Sequence, residues 1–218
     1  MDRSNDAQPS NMQGRPEEER NECIMDPVPQ CEEWVDWVDE NNQVVGQVTR
    51  KRALQEGLHH RAVYVWLCKE NGEMLLQKRA TSKRIGGGQW DVSVAEHLLP
   101  GETYRDAARR GLMEELNVSD ADLTNVPCLE PHYRRLFFPE AKAVESEFVA
   151  SFVVNKWSLE ELQVDPLEVA EVRWWQPEEL SHYLDVSIHS FTPWFCAEYR
   201  ALMQRGLLPN ACTNNHTA

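Results

Sequence analysis

Glu102, Arg110, Glu114 and Glu115 fall within one short stretch of chain, and their types and spacing suit the chemistry of a bound cation. Thr103 fits the cap of a helix over residues 103–116, with Asp106 three residues on in the position of a capping-box acid. Glu102 then stands at the mouth of the helix, while Ala107, Ala108, Leu112 and Leu116 recur at the spacing of a buried face. Arg110 and Glu114 are four apart and share a face, so the guanidinium can hold a carboxylate toward a metal or a water. Glutamates gathered at one place repel unless a cation joins them. A hard divalent ion, Mg²⁺ or Mn²⁺, fits because it takes one or two protein carboxylates, several waters and phosphate oxygens. As a bare pattern, Glu-Glu late in a helix suits a solvated face equally well.

The flanking sequence supplies the elements that must position this helix. Residues 33–39 (EWVDWVD) and 44–49 (VVGQVT) read as a hairpin, and residues 61–68 and 74–77 as a second one turning at Asn71-Gly72. Residues 91–97 (DVSVAEH) alternate as a strand, closed by Pro100-Gly101 before the helix. Residues 133–138 and 147–154 suggest another antiparallel pair, and residues 171–175 a further strand. Helices over residues 178–184 and 194–203 follow. Strands with a few interposed helices predict an α/β fold, a sandwich with a mixed central sheet.

With 36 acidic and 22 basic side chains, net −14, the chain has no overall field that would attract nucleic acid or an anionic membrane. A small anionic substrate stays open, because a cation or a few placed basic residues reverse the field locally. Lys78, Arg79 and Arg84, beside the Gly86-Gly87-Gly88 run, are candidates to hold it; they suit a basic surface strip as well. Cys23, Cys31, Cys68, Cys128, Cys196 and Cys212 form no CxxC pair and read as reduced thiols. Residues 1–31 are polar and proline-bearing and predict a disordered tail, residues 32–208 one domain, and residues 209–218 a flexible end. The N-terminal stretch has no apolar core of a signal peptide, so the expected location is cytoplasmic.

The register from position 96 to position 118 resembles the signature of the Nudix hydrolases: Gly, five residues, Glu, seven residues, then Arg-Glu-aliphatic-any-Glu-Glu-any-Gly-aliphatic. Glu102, Arg110, Leu112, Glu114, Glu115 and Val118 fill their places without a gap. Three positions depart. Glu96 stands for the first Gly, Asn117 for the later Gly, and Gly111 for the Glu after Arg110. Asn tolerates a left-handed helix end nearly as Gly does. Gly111 removes a carboxylate one turn before Glu115, so Gly111→Glu is expected to raise a rate limited by that loss.

From about residue 58 to 199 the chain is also similar to isopentenyl diphosphate isomerase and the Nudix hydrolases nearest to it. His60-Arg61-Ala62, Gln77-Lys78-Arg79-Ala80, Trp90, Ser93, His97, Glu145-Ser146-Glu147 and Phe191-Thr192-Pro193-Trp194 carry that similarity. It implies His60, His97, Glu145 and Glu147 as metal ligands joining Glu115, beside Glu114 of the helix; Trp194 and Trp66 suit pocket walls or, as aromatic residues more often are, core. Each of these also suits a solvated or core position. The isomerases use a Cys two residues before the metal-binding His, where this chain has Ala95, and a further His where it has Ala53. Three functions follow: a metal-dependent hydrolase of a small diphosphate compound, with Glu114, Glu115, Arg110 and Glu147 as catalytic residues; an isomerase-like enzyme; or a diphosphate binder with a weakened box.

Overall fold

A computed structural model describes residues 32–119, 122–155, 157 and 162–209. Residues 1–31, and all of 209–218 except Pro209, lie outside the described residues, and with them the two expected tails. In chain order come β1 (Trp34–Val38), β2 (Val44–Thr49), α1 (Arg50–Glu56), β3 (His59–Leu67), β4 (Met74–Arg79), β5 (Trp90–Asp91) and β6 (Val94–His97). They are followed by α2 (Tyr104–Leu116), β7 (Cys128–Phe138), β8 (Ala143–Val154), β9 (Val169–Trp175), α3 (Pro177–Val186) and α4 (Pro193–Gln204).

One sheet has the order β6-β3-β8-β7 and a second β5-β4-β9, beside the β1-β2 hairpin. β3 lies parallel to β8 and antiparallel to β6, which makes the larger sheet mixed. Alternate side chains of β3 face opposite ways, as pleating requires. Val63, Val65 and Leu67 pack with Ala107, Ala108, Leu112 and Leu116 of α2. Ala62, Tyr64 and Trp66 pack with Trp194, Phe195, Tyr199 and Leu202 of α4. The result is an α/β/α sandwich, as expected.

The second hairpin does not form. The chain does turn tightly at Gly72, whose φ is +88°, and Lys69 N bonds Glu73 O at 2.8 Å. Beyond a single bridge from Cys68 to Met74 the strands part into different sheets. Their side chains explain this: β3 is buried from Ala62 to Leu67 and β4 from Met74 to Gln77, so each needs neighbours on both edges. The expected strand over residues 91–97 is broken into β5 and β6 by Ser93. Its hydroxyl donates to Leu75 O (2.6 Å) and accepts from Leu67 N (2.9 Å), stitching the two sheets together. α1 has no signature in the sequence, since its one buried residue, Ala53, gives no periodicity.

Candidate active site

α2 begins where its sequence says it must. Thr103 Oγ1 accepts from Asp106 N at 3.2 Å, and Asn117 closes the helix in the left-handed region at φ 55°. Arg110, on the second turn, gathers the chain around it. Its Nε and Nη2 donate to Glu102 (3.0 and 3.1 Å), its Nη1 to Glu96 (2.9 Å) and Glu114 (3.0 Å), and its Nη2 also to His97 O (2.7 Å). One guanidinium thus ties the end of β6 to the helix. Glu114 is turned outward, 57% exposed along its side chain. Glu115 is buried: Gln77 Nε2 donates to it at 2.6 Å and Ala95 N at 3.3 Å. Burial, reinforced by the Glu96 charge, pushes its carboxyl well above the usual range. Burial also raises Glu96, against the pull of Arg110.

On the other face of the larger sheet a second set assembles. β3 and β8 run in parallel with His60 opposite Glu147, and β6 places His97 across from Ala62. Ligand atoms of His60, His97 and Glu147 all lie within 4.8 Å of one another. Glu147 Oε1 is 3.1 Å from His97 Nε2 and 3.5 Å from His60 Nε2. His60 is fully buried, yet its Nε2 has no hydrogen-bond partner among the described residues. A buried imidazole nitrogen without a hydrogen bond and facing a carboxylate suits the role of a metal ligand. Two imidazoles and a carboxylate suit a divalent ion.

The other oxygen of Glu147 accepts from Arg134 Nη2 at 2.5 Å, and the same nitrogen bonds the Tyr64 hydroxyl. Burial alone would raise Glu147, but Arg134 and the two histidines hold it well below the usual carboxylate range. Glu145, next on the same strand face, is pushed up to about 7 by burial and by the charge of Glu147. For His60 the nearby carboxylate outweighs burial and raises the imidazole; for His97 burial and the charge of Arg50 prevail and lower it.

The residues expected at one site are therefore divided. His60, His97 and Glu147 come together, with Glu145 beside them. Glu115 lies under α2 and Glu114 in the Arg110 ion-pair cluster, and neither joins that group. Trp194 is a core residue: it is 4% exposed and its indole donates to both oxygens of buried Asp91 at 2.8 Å. Arg79 pairs with the same carboxylate at 3.2 Å and stacks over Trp194. Arg84 is bonded to Ala141 O, and Lys78 lies 5.7 Å above the Trp90 ring. Arg134, Tyr64 and Gln77 have no site role in the sequence alone, although Gln77 lies in a run that carries the family similarity. Arg134 had a signal, because it falls opposite Glu147 in the β7-β8 pair.

Gly111 is buried against β6, and a Cβ added there would lie 2.5 Å from Glu96 Cγ and 2.6 Å from Val94 Cγ1. The helix has no room for the side chain that Gly111→Glu would restore.

Comparison with known proteins agrees with this architecture. Residues 58–195 match the NUDIX domain. An uncharacterized Nudix hydrolase of Yersinia pestis is 33% identical over 161 residues, 74% of this chain and 80% of that protein. An isopentenyl-diphosphate Delta-isomerase of Burkholderia multivorans is 33% identical over 172 residues, 79% of this chain and 92% of that one. The crystal structure of DR0079 from Deinococcus radiodurans superposes with a TM-score of 0.51 at 25% identity, covering 71% of this chain and 90% of its own.

Proposed function

The chain belongs to the Nudix family, and from that premise we propose that it hydrolyses a small diphosphate-containing compound with the help of a divalent cation. The observation that carries the reading is the His60-His97-Glu147 triangle, whose His97 carbonyl accepts from Arg110 of α2, the residue that also gathers Glu96, Glu102 and Glu114. A bound Mg²⁺ or Mn²⁺ would neutralise phosphate charge and make a water more acidic. The two imidazoles favour Mn²⁺ in the triangle, and carboxylates alone suit Mg²⁺ at the helix.

The chain's own groups do the rest. Arg134 holds one oxygen of Glu147 so that the other faces both histidines. Gln77 and Ala95 N fix the Glu115 carboxylate, and Arg110 fixes the outer ones. Glu114, open to solvent, is the carboxylate we assign to take the proton of the attacking water. No nucleic acid or membrane takes part in this reading, and among the described residues no helix is long and apolar enough to cross a membrane.

The triangle also favours a second reading, an isomerase-like enzyme acting on an alkyl diphosphate, since the Burkholderia relative is named as an isomerase. Ala95 opposes it, because a methyl group cannot exchange a proton where the similarity calls for a thiol. The test is incubation with nucleoside, sugar, dinucleotide and isoprenyl diphosphates plus Mg²⁺ or Mn²⁺, following phosphate release, directly or after phosphatase treatment of the monophosphate products, and alkene migration. Phosphate release lost in Glu115→Gln supports hydrolysis. Alkene migration supports the second reading, and metal-dependent binding with neither product counts against both.

A further inference from the structure

His60, Glu147 and Arg134 stand in one row across three strands: β3 sets His60 opposite Glu147 of β8, and β7 sets Arg134 opposite the same Glu147. Side chains directly opposite one another share a side of the sheet, so all three project into one space. Both ends of the row carry unmet groups. At one end His60 Nε2 has no hydrogen-bond partner among the described residues; at the other, neither do Arg134 Nε and Nη1, although Arg134 is only 9% exposed. Its Nη2 alone is engaged, by Glu147 and the Tyr64 hydroxyl. The Tyr64 ring, its centroid 5.1 Å from Arg134 Cζ, attracts the charge but offers no lone pair to the remaining N–H groups.

The two ends call for opposite ligands. An imidazole nitrogen can present a lone pair to a cation, whereas guanidinium N–H groups only donate and take an acceptor. Donors left unpaired in a buried place are costly, and an anionic oxygen is the strongest acceptor for them. Charge points the same way. With a dication on the triangle and Arg134 beside it, a positive charge is left over even when Glu145 and Glu147 are both ionised. Leu136, opposite Glu145, and Ala95, two residues before His97 on β6, are only partly buried, so the row can be approached from that side.

We propose that Arg134 is a substrate-binding residue: its Nε and Nη1 receive phosphate oxygen of the diphosphate compound, next to the cation that His60, His97 and Glu147 hold. The inference rests on the hydrolase reading above and names a residue by which that site takes its substrate.

Calorimetric titration of the Mn²⁺-loaded full chain with methylenediphosphonate, a diphosphate analogue that cannot be hydrolysed, and separately with orthophosphate, tests this. Arg134→Lys keeps a positive charge for Glu147 and removes both unmet nitrogens; Arg134→Gln, which keeps an amide donor for Glu147, is the second variant. We expect methylenediphosphonate to bind the native chain and to bind both variants at least ten-fold more weakly, with Mn²⁺ affinity and the thermal midpoint at their native values. Equal affinity in native and variant chains overturns the proposal, as does a native chain that binds no diphosphonate. A loss that merely tracks a fall in Mn²⁺ affinity or thermal midpoint also overturns it, since Arg134 then acts only by holding Glu147. An Arg134-dependent site for orthophosphate with none for the diphosphonate would assign the guanidinium to free phosphate and not to substrate, against the proposal. If binding behaves as expected while no diphosphate is hydrolysed, the hydrolase reading falls and the phosphate-binding role of Arg134 stands. If hydrolysis is lost in Glu115→Gln but proceeds with an unchanged KM in Arg134→Lys, the reverse holds.

Discussion

Gly111→Ala sets two effects of known size against each other. Gly111 lies inside α2 and has no positive φ, so by helix propensity alone alanine should stabilise the chain by about 0.8–1.0 kcal/mol. The new methyl would stand 2.5 Å from Glu96 Cγ and 2.6 Å from Val94 Cγ1. Glu96 can swing its stem aside, but Val94 is fully buried in the core beneath the helix and cannot. Overpacking of this kind costs roughly 1–3 kcal/mol. The net is a destabilisation of about 0–2 kcal/mol by these two magnitudes, opposite in sign to the propensity alone. Urea unfolding followed by tryptophan fluorescence measures it directly. In a Val94→Ala, Glu96→Ala background the obstruction is gone, and the same Gly111→Ala change should become stabilising. A native chain that gains stability from Gly111→Ala would refute the steric argument and, with it, the interlock of positions 96 and 111.

Trp194→Phe removes the indole donor from buried Asp91, leaving it Arg79, Thr192 and Val92 N, and should cost about 1–3 kcal/mol in the same unfolding assay. His132, partly exposed, meets Glu198 at 3.1 Å, with Ser151 on the other carboxylate oxygen and Arg134 nearby. The Glu198 carboxylate raises the imidazole, against burial and Arg134. A raised folded value means the contribution is fully present below the unfolded pKa of about 6.5 and fades as pH climbs through the folded one. The stability gap between the native chain and His132→Ala should therefore be wider at pH 5.5 than at pH 8.5; a gap that widens with pH would contradict the pairing. Mn²⁺ at about a hundred times its dissociation constant should add roughly 2.7 kcal/mol to native stability. Glu147→Gln should shrink that gain, and an undiminished gain would exclude the triangle as a binding place.

How much of this was legible depended on whether the partners were local. α2 was readable because its signals lie within it: the Thr103 cap, the apolar spacing, the Arg110-Glu114 interval and Asn117 at the end. The β7-β8 pairing was readable because a short connection joins two β-favouring runs. The fate of Trp194 was not, since its partner Asp91 is 103 residues away and no pattern near either residue announces the bond. The divergence of β3 from β4 was hidden for the same reason: a tight turn says that the chain reverses, not which sheet each arm will enter. His60 and His97 entered through resemblance alone, because neither shows a periodic or spaced relation to Glu147. The Glu96-Gly111 contact was the least visible, since it is written as a side chain missing from one element and present on another.

The parallel run of β3 beside β8 has a consequence for how the molecule comes into being. Nascent chain that has emerged only as far as α2 holds the whole acidic helix but has no strand to set against His60, so its histidines cannot yet be closed by a carboxylate. That closure waits on a non-local docking event of the slow kind that parallel topologies impose. An ion captured there would act as a late clasp on the finished β3–β8 pair, without guiding the steps that led to it.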